Sequence, residues 1–434
     1  PAEAVADFSK AIALAPREAE YFRNRADAYD ALGKAAEAVA DYSQLIALTA
    51  VEAPVYAARG ADYRTLGKWE QAEADFTRAI ARDPHQARYY LALAECYMRR
   101  SAIPIELYTN AIEADPKCVV AYVERGILSA RGHGPDAAEK DLRKALELDP
   151  KAARAWLGLS MVAGQRDNMA ECLVDANKAL TLDPTLWEAY NIRGWVYHAQ
   201  QKYALAVDDF TRALRLHPQG FELWQARGLE YLKLGKAAEA VADYTSALKL
   251  IKLPDNYRFR GIAYRKLGKN ALAIADFTLA LKGNPKDTVA WYSRGVAYSA
   301  LGKADLAVAD LTKALALNPR YAEAYFKRGA AYVKLAKPEL ALADFTSAIH
   351  LDLDNPAPFL ARGELYRQQG DYSAAVKDLT KAIQLDPTNP AAWTARAQAF
   401  QAAGHPELAV ANYDKAKALK AVAGGQCGSN QVIE

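Results

Sequence analysis

Six histidines and four cysteines are the side chains best suited to hold a metal or act as nucleophiles, and they are scattered. His85, His133, His198, His217, His350 and His405 form no pair at helical spacing. Cys96, Cys118, Cys172 and Cys427 include no close pair of the kind a structural zinc site uses. Gly132-His133-Gly134 is too short to cradle a phosphate and reads as a turn before Pro135. No Ser, Cys or Asp stands in a recognisable nucleophile setting. Catalysis, a resident metal and a cofactor are therefore not expected.

What recurs instead is a pair of opposite charges. Arg stands at positions 25, 59, 125, 193, 227, 260, 294, 328, 362 and 396. Asp recurs at 41, 75, 141, 209, 243, 276, 310, 344 and 378, each sixteen residues after one of those arginines. Such a series could be a ladder for a charged, periodic ligand, or a set of ion pairs that pins packed helices in register. Around residues 87–118 both members are missing, with Leu93 and Leu107 in their places. Joint loss favours pairing within one unit, although pairing with the preceding unit's Asp would match nearly as many positions. The structural role is the expected one, and such pairs specify geometry more than they add stability.

These charges ride on a repeat. The phrase WYSRGVAYSALGK (291–303) returns as WQARGLEYLKLGK (224–236), YRFRGIAYRKLGK (257–269) and YFKRGAAYVKLAK (325–337). Pro150, Pro184 and Pro218 lie 34 residues apart, as do Pro285 and Pro319. Numbering each unit so that this proline is slot 32 puts an aromatic residue at slot 4 and Gly or Ala at slot 8. Tyr follows at slot 11, Ala at slots 20 and 27, and a bulky residue at 24; the Arg and Asp fall at 7 and 23. Steps of three and four are the apolar stripe of an amphipathic helix, so each unit predicts two helices joined at the Leu-Gly-Lys turn. Small residues at slots 8, 20 and 27 let helix axes approach, and bulky ones fill the gap.

The pitch and this pattern strongly resemble the tetratricopeptide repeat family over residues 1 to about 423. One departure is Arg at slot 7, where the family usually has Leu. The resemblance implies an all-α, right-handed superhelical solenoid. It divides the chain into a half repeat (1–18), twelve full repeats to residue 423 and a flexible tail at 424–434. It also implies that first helices line a concave groove, with slots 2, 5, 9 and 12 facing a partner.

The candidate groove residues are Ile127, Met161, Asn191, Trp195, His198, Gln225, Leu229, Arg258, Ile262, Tyr292, Val296 and Phe326. Their apolar middle and polar flanks suit an amphipathic peptide or protein segment. The competing reading is that tight winding buries this strip against neighbouring first helices. No unit carries the Lys and Asn pair with which some family members hold a C-terminal carboxylate, nor the recurrent Asn of its sugar-nucleotide transferases. A non-catalytic interaction scaffold is the leading expectation. A periplasmic solenoid of a polysaccharide export system, or the regulatory part of a larger enzyme, are the alternatives.

Composition limits partners and compartment further. Of 434 residues, 52% are hydrophobic and 25% charged, and a net charge of +3 is too weak to imply nucleic acid. No apolar run of eighteen residues is present, so no membrane insertion is expected. The scattered cysteines favour a reducing cytoplasm, with the periplasm as the other option. The chain starts at Pro1 inside a repeat, which predicts truncation or processing. The flank of Phe8, Ile12 and Leu14 is then expected to self-associate or to be covered by upstream sequence. Residues 87–186 are expected to be the weakest stretch, because Pro104 and the run SMVAGQRDNMAEC break the pattern there.

Overall fold

Prolines and glycine turns cut the chain into helices of 10 to 14 residues, with one of 21 residues near the C-terminus. The computed structural model describes residues 1–100, 102–132 and 134–426, and these residues form 25 helices and no strand. His133 and, of the expected tail at 424–434, residues 427–434 with Cys427 lie outside the described residues, while 424–426 belong to the last helix.

Contacts divide the chain into two compact units, Pro1–Pro218 and Gln219–Glu434. The first begins with α1 (Ala2–Leu14), α2 (Ala19–Asp30), α3 (Ala35–Leu48), α4 (Ala53–Thr65), α5 (Trp69–Arg82), α6 (Ala87–Arg99) and α7 (Ile105–Ala114). It continues with α8 (Val119–Arg131), α9 (Pro135–Leu148), α10 (Ala153–Gln165), α11 (Met169–Leu182), α12 (Trp187–Ala199) and α13 (Tyr203–Leu216). The second opens with α14 (Phe221–Lys233), α15 (Ala237–Leu250), α16 (Pro254–Lys266), α17 (Asn270–Gly283), α18 (Thr288–Ala300) and α19 (Ala304–Leu317). It ends with α20 (Ala322–Lys334), α21 (Pro338–Leu351), α22 (Pro356–Gln368), α23 (Tyr372–Leu385), α24 (Pro390–Ala402) and α25 (Pro406–Gln426).

Local chemistry sets each boundary. In the turn after a first helix the Lys34 amide donates back to the Tyr29 carbonyl (2.9 Å) and Lys68 to Tyr63 (2.8 Å), the bond that closes a Schellman ending. That ending needs a left-handed residue, and Gly302 supplies it at φ 74°. Ala336 holds the same position at φ 54°, where its Cβ crowds the following carbonyl. Ala336→Gly is therefore expected to stabilise the second unit by about 1 kcal/mol, read as a higher urea midpoint. A lower midpoint would contradict this. Several second helices end at Asp-Pro: proline forces the residue before it to extend, and Asp83 does so at φ −142°, ψ 90°. Asp83, Asp149 and Asp183 then accept from the amide two residues on at 2.8–3.1 Å, closing the turn.

The core lies between the two helices of a repeat and the first helix of the next. A Cβ on Gly194 would stand 2.7 Å from the Phe210 ring, so slot 8 must be small for the helices to approach this closely. Within each unit, successive first helices also touch: α4 and α6, α8 and α10, α16 and α18, α18 and α20. Among the described residues no two successive second helices pack comparably, which puts the first helices of each unit on the inner side.

The stretch expected to be weak divides in two. α10 is deeply packed, burying Ala155, Leu157, Gly158, Leu159, Ser160, Val162 and Ala163. α7, by contrast, is the shortest helix, because Pro104 delays its start. α1 buries none of its residues, and Leu14 is 88% exposed.

Candidate interaction groove

The recurrent charges form inter-helix clamps. In nine repeats the slot-7 guanidinium pairs with the Asp of its own repeat through Nε and Nη2, at 2.6–2.9 Å to the two carboxylate oxygens. Pairing is thus within the repeat. In eight of these Nη1 turns the other way, to Ser9, Ser43, Thr109, Asn177, Thr245, Thr278, Thr312 or Thr346 on the preceding second helix, at 2.6–3.1 Å, and Arg396 reaches Thr380 in the same way (3.1 Å). Rings of the same helix flank the guanidinium: Arg294 lies 4.8 Å from Trp291 and 5.9 Å from Tyr298. Each Arg therefore ties three helices together and is occupied by the fold.

Three repeats depart from the clamp, the first being 87–118 with its Leu93 and Leu107. Arg396 meets Asn412 in place of Asp (2.8 Å). Asp175 faces Leu159 where the others have Arg; burial pushes its carboxyl up, against the pull of Lys178.

The slot-9 series lies on the inner helices, but not uniformly open. In the first unit Ile127 is only 2% exposed and belongs to the core around Leu142 and Leu159, so it is removed from the candidate groove. Close packing of α8 on α10 is the reason. Met161 borders that core and Asn191 is half-buried. Trp195 is 43% exposed, with its ring edge-on to His198 (5.3 Å) and Phe210 (5.6 Å); His198 also approaches Tyr203 (6.0 Å).

In the second unit Leu229, Ile262 and Val296 are half-buried, one per repeat. Tyr292 packs at 4.8 Å on Tyr321, and burial pushes its phenol up. Phe326 lies 5.9 Å from Phe345. Two polar candidates are already engaged. Gln225 donates to Asn256 (2.6 Å), and Arg258 pairs with Asp255 (2.8 Å) and Asp287 (2.9 Å).

Two features of the inner face in the first repeats were not anticipated. One is an acidic group: the Tyr42 hydroxyl donates to Asp27 (2.7 Å) and Asp30 (2.8 Å), while Asp62 of the next repeat turns to Asp30. Burial, then the charge of Asp30, push the Asp62 carboxyl up to about 7, and no cation acts on it. The unfolded side chain would be ionised above pH ~4, so the folded protein binds the extra proton between about 4 and 7. Stability of this end is expected to be fully present below about pH 4 and to fall as pH rises through 7. Asp62→Asn should flatten that fall. Hydrogen exchange of α2 and α4, corrected for intrinsic rate, reads it; a wild-type profile that strengthens toward pH 8 would contradict it. The second feature is a hollow between α4 and α6.

Sequence models for the tetratricopeptide repeat match residues 58–117, 123–185, 187–219, 226–288, 260–307 and 322–355. A further model described as TPR repeat matches 297–335 and 363–404. The chain belongs to the tetratricopeptide repeat family. No curated protein sequence matches this array. Among solved structures it is similar to the crystal structure of the APC/C hetero-tetramer Cut9-Hcn1, at 16% identity and TM-score 0.51, over 91% of this chain and 92% of that one. It is also similar to MamA, at 24% identity and TM-score 0.36, over 38% of this chain and 96% of that one. Pseudomonas aeruginosa pilF aligns at 22% identity and TM-score 0.42, over 47% of this chain and 93% of that one. At these identities the likeness is one of fold.

Among the described residues no group of three His, Cys, Asp or Glu could hold a metal ion, and no helix is long and apolar enough to cross a membrane. A tetratricopeptide solenoid is a protein-interaction scaffold; what it grips must be argued from its surface.

Proposed function

We propose that this array is a non-catalytic scaffold that holds a peptide or protein segment against the inner, first-helix face of its repeats. The observation that carries the reading is Trp195. Ile127 at the same slot is sealed in the core, whereas Trp195 presents 43% of its surface on that face. A partly exposed Trp offers a large contact area with little conformational entropy to lose. In the second unit Leu229, Ile262 and Val296 supply a half-buried apolar row on the same helix face. The clamp arginines take no part, since each is held by its own Asp.

Peptides selected on the intact chain from a random library provide a ligand for the test. Trp195→Ala is expected to weaken their binding by about 2 kcal/mol, roughly thirtyfold, the scale of an interface hot spot. Leu306→Ala, an exposed change on the second helix α19, is expected to leave affinity unchanged. Loss of affinity with Leu306→Ala and none with Trp195→Ala would place the binding face on the second helices.

A further inference from the structure

In the first unit the inner face opens into a hollow of about 320 Å³ between α4 and α6. Its wall is small by composition: Pro54, Ala57, Ala58, Ala61 and Ala92, over a floor of Phe76 and Tyr89. Two repeats on, the same slots carry Val123 and Ile127, which are buried, so there the space is filled. Here the short side chains leave it empty. The volume is at the low end for ligand sites, enough for one large side chain.

The rim is cationic. Arg64 stands on one side, where it pairs with Glu95 of α6. Arg88 stands on the other, exposed at the start of α6. Its guanidinium donates to the Tyr89 hydroxyl (3.1 Å) and lies 5.0 Å from that ring, with no carboxylate of the described residues paired to it. An apolar cup with one uncompensated cation at its edge is complementary to an apolar side chain beside an anion. On the α2 side the charges of Asp27 and Asp30 repel an anion. The anion must therefore lie toward α6.

We propose that this hollow binds one large apolar side chain of a partner segment that carries Asp or Glu next to it, with the ring or alkyl group seated on Phe76 between Ala57, Ala61 and Ala92 and the carboxylate on Arg88. The proposal rests on the groove reading and makes it specific for one pair of repeats. It differs from a simple apolar contact in demanding both elements at once. It also gives the segment a direction, its acidic residue leading toward α6.

The test uses the full chain and fluorescein-labelled twelve-residue peptides with amidated C-termini in a Gly/Ser background, scored by anisotropy. One set carries a single Phe-Glu pair, a second Phe-Lys, a third Ser-Glu, and a fourth Phe alone with a free C-terminal carboxylate. The Phe-Glu set is expected to bind about tenfold tighter than Phe-Lys or Ser-Glu, the scale of one charge-assisted contact or one buried side chain. Arg88→Ala is expected to abolish the preference for Glu over Lys, and Ala61→Leu the preference for Phe over Ser. Arg88 is exposed, so its variant reads binding without a folding cost, even if Ala61→Leu disturbs α4. Equal affinity for Phe-Glu and Phe-Lys, or no measurable binding of any set, overturns the proposal. Binding confined to the free C-terminal set also overturns it, since it assigns the site to chain ends. If Arg88→Ala and Ala61→Leu are silent while Trp195→Ala still weakens library-selected peptides, the hollow is wrong and the groove stands. If all three are silent, the groove reading itself falls.

Discussion

Arg294→Leu is expected to destabilise the second unit by about 3–5 kcal/mol, because it leaves Asp310 buried with no counter-charge. In the native clamp Asp310 takes both Nε and Nη2 of Arg294, at 2.7 and 2.9 Å, while Nη1 reaches Thr278 at 3.0 Å. Removing the guanidinium strands the carboxylate and unties α17 from α18. Removing both charges should behave differently. Arg294→Leu combined with Asp310→Leu is expected to recover most of the loss, since a buried ion pair replaced by apolar groups of similar volume is often near neutral. The chain already contains this experiment: Leu93 is buried in the repeat that also carries Leu107, and the two pack in one cluster with Phe76. Urea unfolding followed by helix content separates the cases. A double variant as unstable as the single one would mean that the clamp contributes net stability rather than register.

Phe277→Ala should cost about 3–5 kcal/mol, the range for truncating a buried ring. Phe277 is 0% exposed and lies against Gly261, where an added Cβ would meet the ring at 2.8 Å. The site is held open by the helix backbones, so little collapse can follow, and the cavity term stays large. Trp195, exposed by 43%, makes fewer such contacts and should cost much less on truncation. A midpoint shift for Trp195→Ala as large as that for Phe277→Ala would show that slot 9 is core.

The repeat was legible because its determinants are local. Apolar spacings of three and four, glycine turns and prolines act within one unit, and they predicted each helix pair from α2 and α3 to α24 and α25. The Asp partner of nine of the arginines was legible too, from the joint loss at Leu93 and Leu107. Its third partner was missed, although Ser, Thr or Asn recurs sixteen residues before most of these arginines. That spacing crosses a repeat boundary, where no single unit's pattern reveals it.

Depth was harder to read than position. Trp224, the slot-4 aromatic of its repeat, is half-buried beside the Arg227 guanidinium at 5.0 Å, while slot-24 rings such as Phe277 lie deeper. Ile127 shares its slot with Trp195 but is sealed by the approach of α8 and α10. The Asp27, Asp30 and Asp62 group and the alanine hollow arise only where consecutive first helices meet. Side-chain pattern fixes which face a residue takes, while the spacing between neighbouring helices fixes how much of it water can reach.

The central claim is that partners are held by first helices, and a hydrogen-exchange footprint tests it most directly. Exchange of the full chain is measured with and without a saturating peptide selected on it. The account predicts slowed exchange in first helices, α12 around Trp195 foremost, with α13 and α19 unchanged on their outer faces. Protection confined to second helices, with α12 unaffected, would contradict it.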